Sequence, residues 1–159
     1  MKMISSLALR CIIVLSASSL WAAEKCTHVH VELNGATVSP PLKVALLETK
    51  GGTPITVSVE DGCFPLPEEL RNAKSIDIIF QVGLDRIHLT GMQPSAFGIR
   101  WNLILRDEAT TGPFAAFKNV PARQICVLEF DPGGDSNAII QTGCRSPMKK
   151  TEGSSLRAR

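Results

Sequence analysis

The chain has 159 residues, with 17 Lys and Arg against 15 Asp and Glu, three His, five Cys, six Phe, two Trp and no Tyr. That length suits one domain with a single core, and it is long enough not to depend on its disulfides for folding. The near balance of charge excludes a nucleic-acid binder with a basic face, and nothing in the composition calls for a cofactor.

Residues 1–23 have the order of an export signal. Lys2 and Arg10 supply positive charge, Cys11-Ile12-Ile13-Val14-Leu15 begins a short apolar run, and Trp21-Ala22-Ala23 offers small residues for cleavage. This pattern predicts a signal peptide and a secreted or periplasmic mature chain beginning near Glu24. Ser16, Ser18 and Ser19 interrupt the run, leaving it short of the roughly 20 apolar residues a membrane span needs, so no transmembrane segment is expected in the mature chain.

Export governs the reading of the cysteines. Cys26, Cys63, Cys126 and Cys144 remain after cleavage, an even number without CxxC spacing, which favours two disulfides over metal ligation or redox catalysis. Removing Lys2 and Arg10 leaves a formally neutral chain of 15 basic and 15 acidic residues. From Arg145 onward the net charge is +4, so residues 24–144 carry about −4. The basic segment 145–159 has almost nothing apolar after Met148 and is expected to be a disordered tail.

Between them the chain reads as strands. In residues 27–33, Val29, Val31 and Leu33 share one face, and His28, His30 and Glu32 the other. Asn34-Gly35 supplies a tight turn, residues 43–48 a second strand, and residues 54–60 a third that ends at Asp61-Gly62. These three segments read as an antiparallel meander. Residues 66–72, with Pro67 and then Glu68 and Glu69 at the start, predict one short helical turn. Strands follow at 75–82, 86–90 and 97–106; in the last, Ile99, Trp101, Leu103 and Leu105 alternate. Residues 109–120 read as a long loop, and two final strands, 123–130 and 138–143, flank a Gly-rich turn. Seven or eight short strands at this spacing predict an all-β antiparallel β-sandwich spanning residues 24–144.

The final pair suggests a disulfide connectivity. If these strands pair about Asp135, then Phe130 faces Ile140, Leu128 faces Thr142 and Cys126 faces Cys144. Cys126–Cys144 then leaves Cys26–Cys63. A one-residue bulge in the turn would break this register, and the alternatives Cys63–Cys126 and Cys26–Cys144 stay open.

A strand into Asn34-Gly35, an apolar strand at 44–47, the element Asp61-Gly62-Cys63-Phe64-Pro65-Leu66-Pro67 and a strand from Ile76 to Phe80 stand in this order. Residues 33–89 thereby resemble the carboxypeptidase regulatory-like or transthyretin-like sandwich family. The resemblance implies a non-catalytic accessory or adhesion-like module and carries over no functional residues.

Candidate chemistry is sparse. His28 and His30 sit two apart on one strand face with Cys26, and with His88 they are the candidates for a metal site, although alternation alone predicts solvent-facing histidines. There is no Gly-x-Ser-x-Gly elbow and no His-Glu-x-x-His helix, and the carboxylate pairs Glu60-Asp61, Glu68-Glu69 and Asp107-Glu108 fall at strand ends and turns. The expectation is therefore a secreted module, not an enzyme, that binds a protein, glycan or surface component through its loops. The alternatives are an assembly protein pairing through edge strands, and a small exported metal-binding protein or enzyme.

Overall fold

The computed structural model describes residues 26–39, 43–108, 112–131 and 137–149. The expected signal peptide, residues 1–23, lies outside the described residues, as does 150–159 of the expected tail.

Eleven strands among the described residues form two packed sheets, an all-β sandwich. β1 (Cys26–Leu33), β2 (Ala36–Val38), β5 (Cys63–Pro65), β8 (Arg100–Leu105), β9 (Ile125–Asp131) and β10 (Ala138–Thr142) make a six-stranded sheet. β3 (Lys43–Glu48), β4 (Ile55–Val57), β6 (Ile76–Val82), β7 (Asp85–Met92) and β11 (Arg145–Pro147) make a five-stranded one. The first sheet runs in the order β10-β9-β8-β1-β2, with β5 also beside β1, and the second in the order β11-β7-β6-β3-β4. β1 and β8 are parallel neighbours at the centre of the first sheet; the other pairs are antiparallel.

The alternation read in the sequence is what sorts these strands. Val29 and Val31 of β1, Trp101, Leu103 and Leu105 of β8, and Cys126, Leu128 and Phe130 of β9 point inward. They meet Val44, Leu46, Ile78, Phe80, Ile87 and Leu89 from the other sheet. The few aromatic residues are concentrated here: Trp101 lies edge-on to Phe64, Phe80 and Phe130 at centroid distances of 5.7–6.4 Å. Such contacts add about 0.5–1.5 kcal/mol each beyond burial. The indole N–H donates to the Ala96 carbonyl at 2.7 Å, so the buried ring leaves no polar atom unpaired.

Four expectations are corrected. The strand count exceeds eight because β2, β5 and β11 have three residues each, too few to show alternation. The first three predicted strands are not a meander: Asn34-Gly35 turns β1 into β2, and β3 and β4 belong to the opposite sheet. The last hairpin pairs Leu128 with Ile139 and Cys126 with Gln141, three residues out of the expected register. The disorder expected from residue 145 is not found at Arg145–Pro147, which pairs with β7 and has Arg145 buried.

The expected disulfide connectivity is nevertheless present. Cys26–Cys63 ties β1 to β5 within one sheet, with Cα atoms 5.7 Å apart. Cys126–Cys144, with Cα atoms 6.1 Å apart, joins β9 to the residue preceding β11 and so links the two sheets. Gly143 makes that crossing possible: its φ of 71° lets the chain leave β10 and turn toward the other sheet. The predicted helical turn is a single 3₁₀ turn, Glu68–Leu70.

Candidate functional site

β1 and β8 run in register, so their outward side chains form rows. His28 is paired with Arg100, His30 with Asn102 and Glu32 with Ile104. β9 extends each row: Arg100 stands beside Asp131, Asn102 beside Glu129 and Ile104 beside Val127. Because successive residues alternate across the sheet, all these side chains share the outer face.

The two halves of this face are treated differently. Ile104, Ile125 and Val127 are covered by the chain itself, through Phe114, Phe117, Val120 and Ala122 of the excursion between β8 and β9. The other half is polar: His28, His30, Arg100 and Asp131 are exposed, Asn102 and Glu129 half-buried. A hollow of about 450 Å³ is lined by His28, His30, Asp61, Arg100 and Asn102 together with Val29 and Gly62. A second, of about 490 Å³, shares His28 and Asp61 and extends along Ser58, Glu60 and the Cys26–Cys63 bridge to Pro65.

Asp61 reaches this site through turn chemistry. Glu60 and Cys63 exchange both backbone hydrogen bonds, at 2.9 and 2.8 Å, and the two residues between them adopt positive φ, 49° at Asp61 and 73° at Gly62. This is the two-residue hairpin that an Asp-Gly pair favours. At the far end of β1 an ion pair of 2.6 Å between Glu32 and Arg106 closes the polar row.

The structure brings together two of the three candidate histidines. His28 and His30 share the face just described, whereas His88 is on β7 of the opposite sheet and cannot join them. The three candidate histidines thus do not form one set, and among the described residues no three His, Cys, Asp or Glu groups are gathered as metal ligands would be. Cys26 is engaged in its disulfide.

His88 has its own surroundings. Its Nε2 lies 3.3 Å from Asp77 Oδ2, while Asp77 Oδ1 accepts from Thr49 Oγ1 at 2.7 Å and from the Gly91 N–H at 3.1 Å. Asp77 is buried at a bulge between β6 and β7. The order is hydroxyl, carboxylate, imidazole. Activating a hydroxyl needs the imidazole between the other two groups, so this constellation does not match a nucleophilic triad. On the opposite sheet, Thr37 Oγ1 is 3.4 Å from His30 Nε2, and no carboxylate orients that ring among the described contacts.

The most buried charges brace the fold. Arg145, only 5% exposed, donates from Nε to Asp85 Oδ2 at 2.6 Å and from Nη1 to Asp107 Oδ1 at 2.9 Å. Arg123 adds a contact of 3.1 Å to Asp85 Oδ1. Asn34 holds Asp107 from the other side, accepting its backbone N–H at 2.8 Å and donating to Oδ2 at 2.8 Å. That side-chain hydrogen bond, helped by the charges of Arg145 and Arg123 and opposed by desolvation, keeps the Asp107 carboxyl below its ordinary value of 3.8.

Sequence reasoning found His28 and His30 but missed Arg100, Asn102, Glu129 and Asp131. Alternation already placed Arg100 and Asn102 outward, but the parallel adjacency of β1 and β8, some 70 residues apart, has no local signal. Among the described residues no helix is long and apolar enough to cross a membrane. No protein-family model, no curated protein and no solved structure matches the chain.

Proposed function

We propose that this chain is a secreted, non-catalytic β-sandwich module that holds a polar protein, glycan or surface component on the outer face of the β1 and β8 pair. One observation carries the reading. The chain covers the apolar half of this face with its own excursion and leaves in the open the half where His28, Arg100, His30 and Asn102 stand in rows. Guanidinium, imidazole and amide groups on a rigid sheet, next to Asp61, Glu129 and Asp131, offer donors and acceptors at fixed spacing.

The face suits hydrogen-bonded recognition more than sugar stacking. Phe64, Phe80, Phe97, Trp101, Phe114 and Phe130 are buried and Phe117 is half-buried in the apolar half, so no described aromatic ring lies open among the polar rows. An accessory role is also what the resemblance of residues 33–89 to the transthyretin-like sandwiches implies. Two disulfides suit an oxidising compartment.

The reading is tested by probing the purified chain against an array of acidic and neutral polysaccharides, cell-wall fragments and envelope proteins. Binding that is lost in the Arg100→Ala/Asn102→Ala variant supports it. Binding retained in that variant assigns recognition elsewhere.

A further inference from the structure

We propose that β10 is a self-association edge: two copies of this chain pair antiparallel through residues 138–142 about a two-fold axis at Ile140, continuing the six-stranded sheet from one copy into the other. The inference is independent of the polar face and does not rest on it.

Strand edges expose unpaired backbone groups, and proteins blunt them with brevity, charge or proline. The other terminal strands of the two sheets are each blunted. β2 has three residues and is followed by Pro40-Pro41 in the sequence; β4 has three and is preceded by Pro54. β5 has three, ends in Pro65 and is bonded to β1 through Cys63; β11 has three and contains Arg145 and Pro147. β10 has five residues, Ala138-Ile139-Ile140-Gln141-Thr142, without charge or proline. Among the described residues it pairs with β9 alone.

The hydrogen-bond parity of this edge is determined. The Phe130 N–H donates to the Asn137 carbonyl at 3.1 Å, and the register continues through Leu128 with Ile139 and Cys126 with Gln141. In an antiparallel ladder alternate residues bond to the same neighbour. Ile139 and Gln141 therefore bond to β9, and Ala138, Ile140 and Thr142 direct their N–H and C=O groups outward. With a two-fold axis at Ile140, that residue opposes the partner's Ile140, and Ala138 opposes the partner's Thr142. Each opposed pair consists of outward-directed residues, so each can exchange two hydrogen bonds. A shift of one residue would set outward groups against inward ones.

The side chains point to a second copy as the occupant. Ile140 is one of two large apolar residues exposed among those described, the other being Leu84. Its 37% exposure would be reduced against the identical side chain across the axis. No like charges meet along the strip, although residues 24–144 carry about −4 and two copies repel each other elsewhere. The edge is also preorganised, since Gln141 turns inward and bonds Thr90 N–H and C=O, at 2.9 and 2.5 Å, on the other sheet. Two five-residue strands make a small interface, so the dimer is weak and concentration-dependent.

Sedimentation velocity of the purified chain, from the low-micromolar to the millimolar range, tests this together with amide hydrogen exchange. The expected result is a monomer–dimer equilibrium in which the amides of Ala138, Ile140 and Thr142 slow as concentration rises. Ile140→Lys, which sets two like charges opposite each other, should weaken the dimer at least about tenfold with an unchanged melting temperature. A monomer at all concentrations overturns the proposal. So does a dimer that survives Ile140→Lys, or slow exchange of these amides in the monomer, which would mean that the edge is already covered.

Discussion

Gln141, on the edge strand of the six-stranded sheet, spans to the opposite sheet and bonds both backbone groups of Thr90, accepting its N–H at 2.9 Å and donating to its carbonyl at 2.5 Å. The position explains the need. β11 pairs with residues 85–87 of β7, and the Cys144 carbonyl takes the next amide, from His88, at 2.7 Å. Beyond that point β7 has no strand on this side among the described residues, and the primary amide of Gln141 supplies one donor and one acceptor in its place.

Replacing Gln141 with Leu should therefore destabilise the fold by about 0.5–1.5 kcal/mol per hydrogen bond lost, since water can reach the exposed Thr90 groups. Gln141→Glu adds a sign test. A carboxylate can accept from the Thr90 N–H but opposes its carbonyl, whereas the protonated acid can serve both. Thermal melts should show Gln141→Glu closer to wild type at acidic pH than at pH 7.

Arg145 makes a second test. Its guanidinium joins Asp85, 8% exposed, to Asp107 and so ties the last strand to both sheets. Arg145→Met should cost about 3–5 kcal/mol in denaturant unfolding, because Asp85 is left buried with Arg123 as its remaining cation among the described residues. Lys cannot reproduce the fork and should rescue only part of the loss. Truncation after Cys144 should be as damaging as Arg145→Met, while truncation after Lys149 should leave the melting temperature unchanged.

Much of the fold was legible because burial imposes alternation. Val29 and Val31, and likewise Trp101, Leu103 and Leu105, are inward in the structure as their period-two spacing predicts. The turn at Asn34-Gly35 was also legible, since both residues adopt positive φ, 53° and 85°. Sheet membership was not, because a strand pattern specifies which face is apolar and not which neighbour lies beside it. The disulfide is instructive. Cys126–Cys144 was expected from a hairpin register that the structure does not contain, and it forms because Gly143 carries Cys144 past the end of β10 toward the other sheet. Basic composition alone places Arg145 in a solvated tail, because its partners Asp85 and Asp107 lie 60 and 38 residues away and leave no local signal.

Asp107 yields a pH prediction. Its folded-state carboxyl lies below the ordinary value of 3.8, chiefly through the Asn34 hydrogen bond and then the charges of Arg145 and Arg123. A depressed carboxyl contributes stability that is fully present above the unfolded value and is lost as pH falls through the folded one. Asn34→Gly keeps the positive-φ turn and removes the hydrogen bond. The stability gap between wild type and Asn34→Gly should be constant near neutrality and narrow below pH 3.8 in acid-titrated unfolding curves. A gap that is independent of pH would remove Asp107 from the explanation.

The polar face is tested most directly by an equilibrium titration. The partner identified on the array would be titrated into the wild-type chain and into the Arg100→Ala/Asn102→Ala variant, with melting temperatures recorded for both. Both side chains point away from the core, so the fold should be unaffected within about 0.5 kcal/mol per site. Loss of hydrogen bonds from a charged group costs about 1.5–3 kcal/mol, so affinity should fall roughly tenfold to a hundredfold. Equal affinity in the two proteins, with both folded, would contradict recognition on the outer face of β1 and β8.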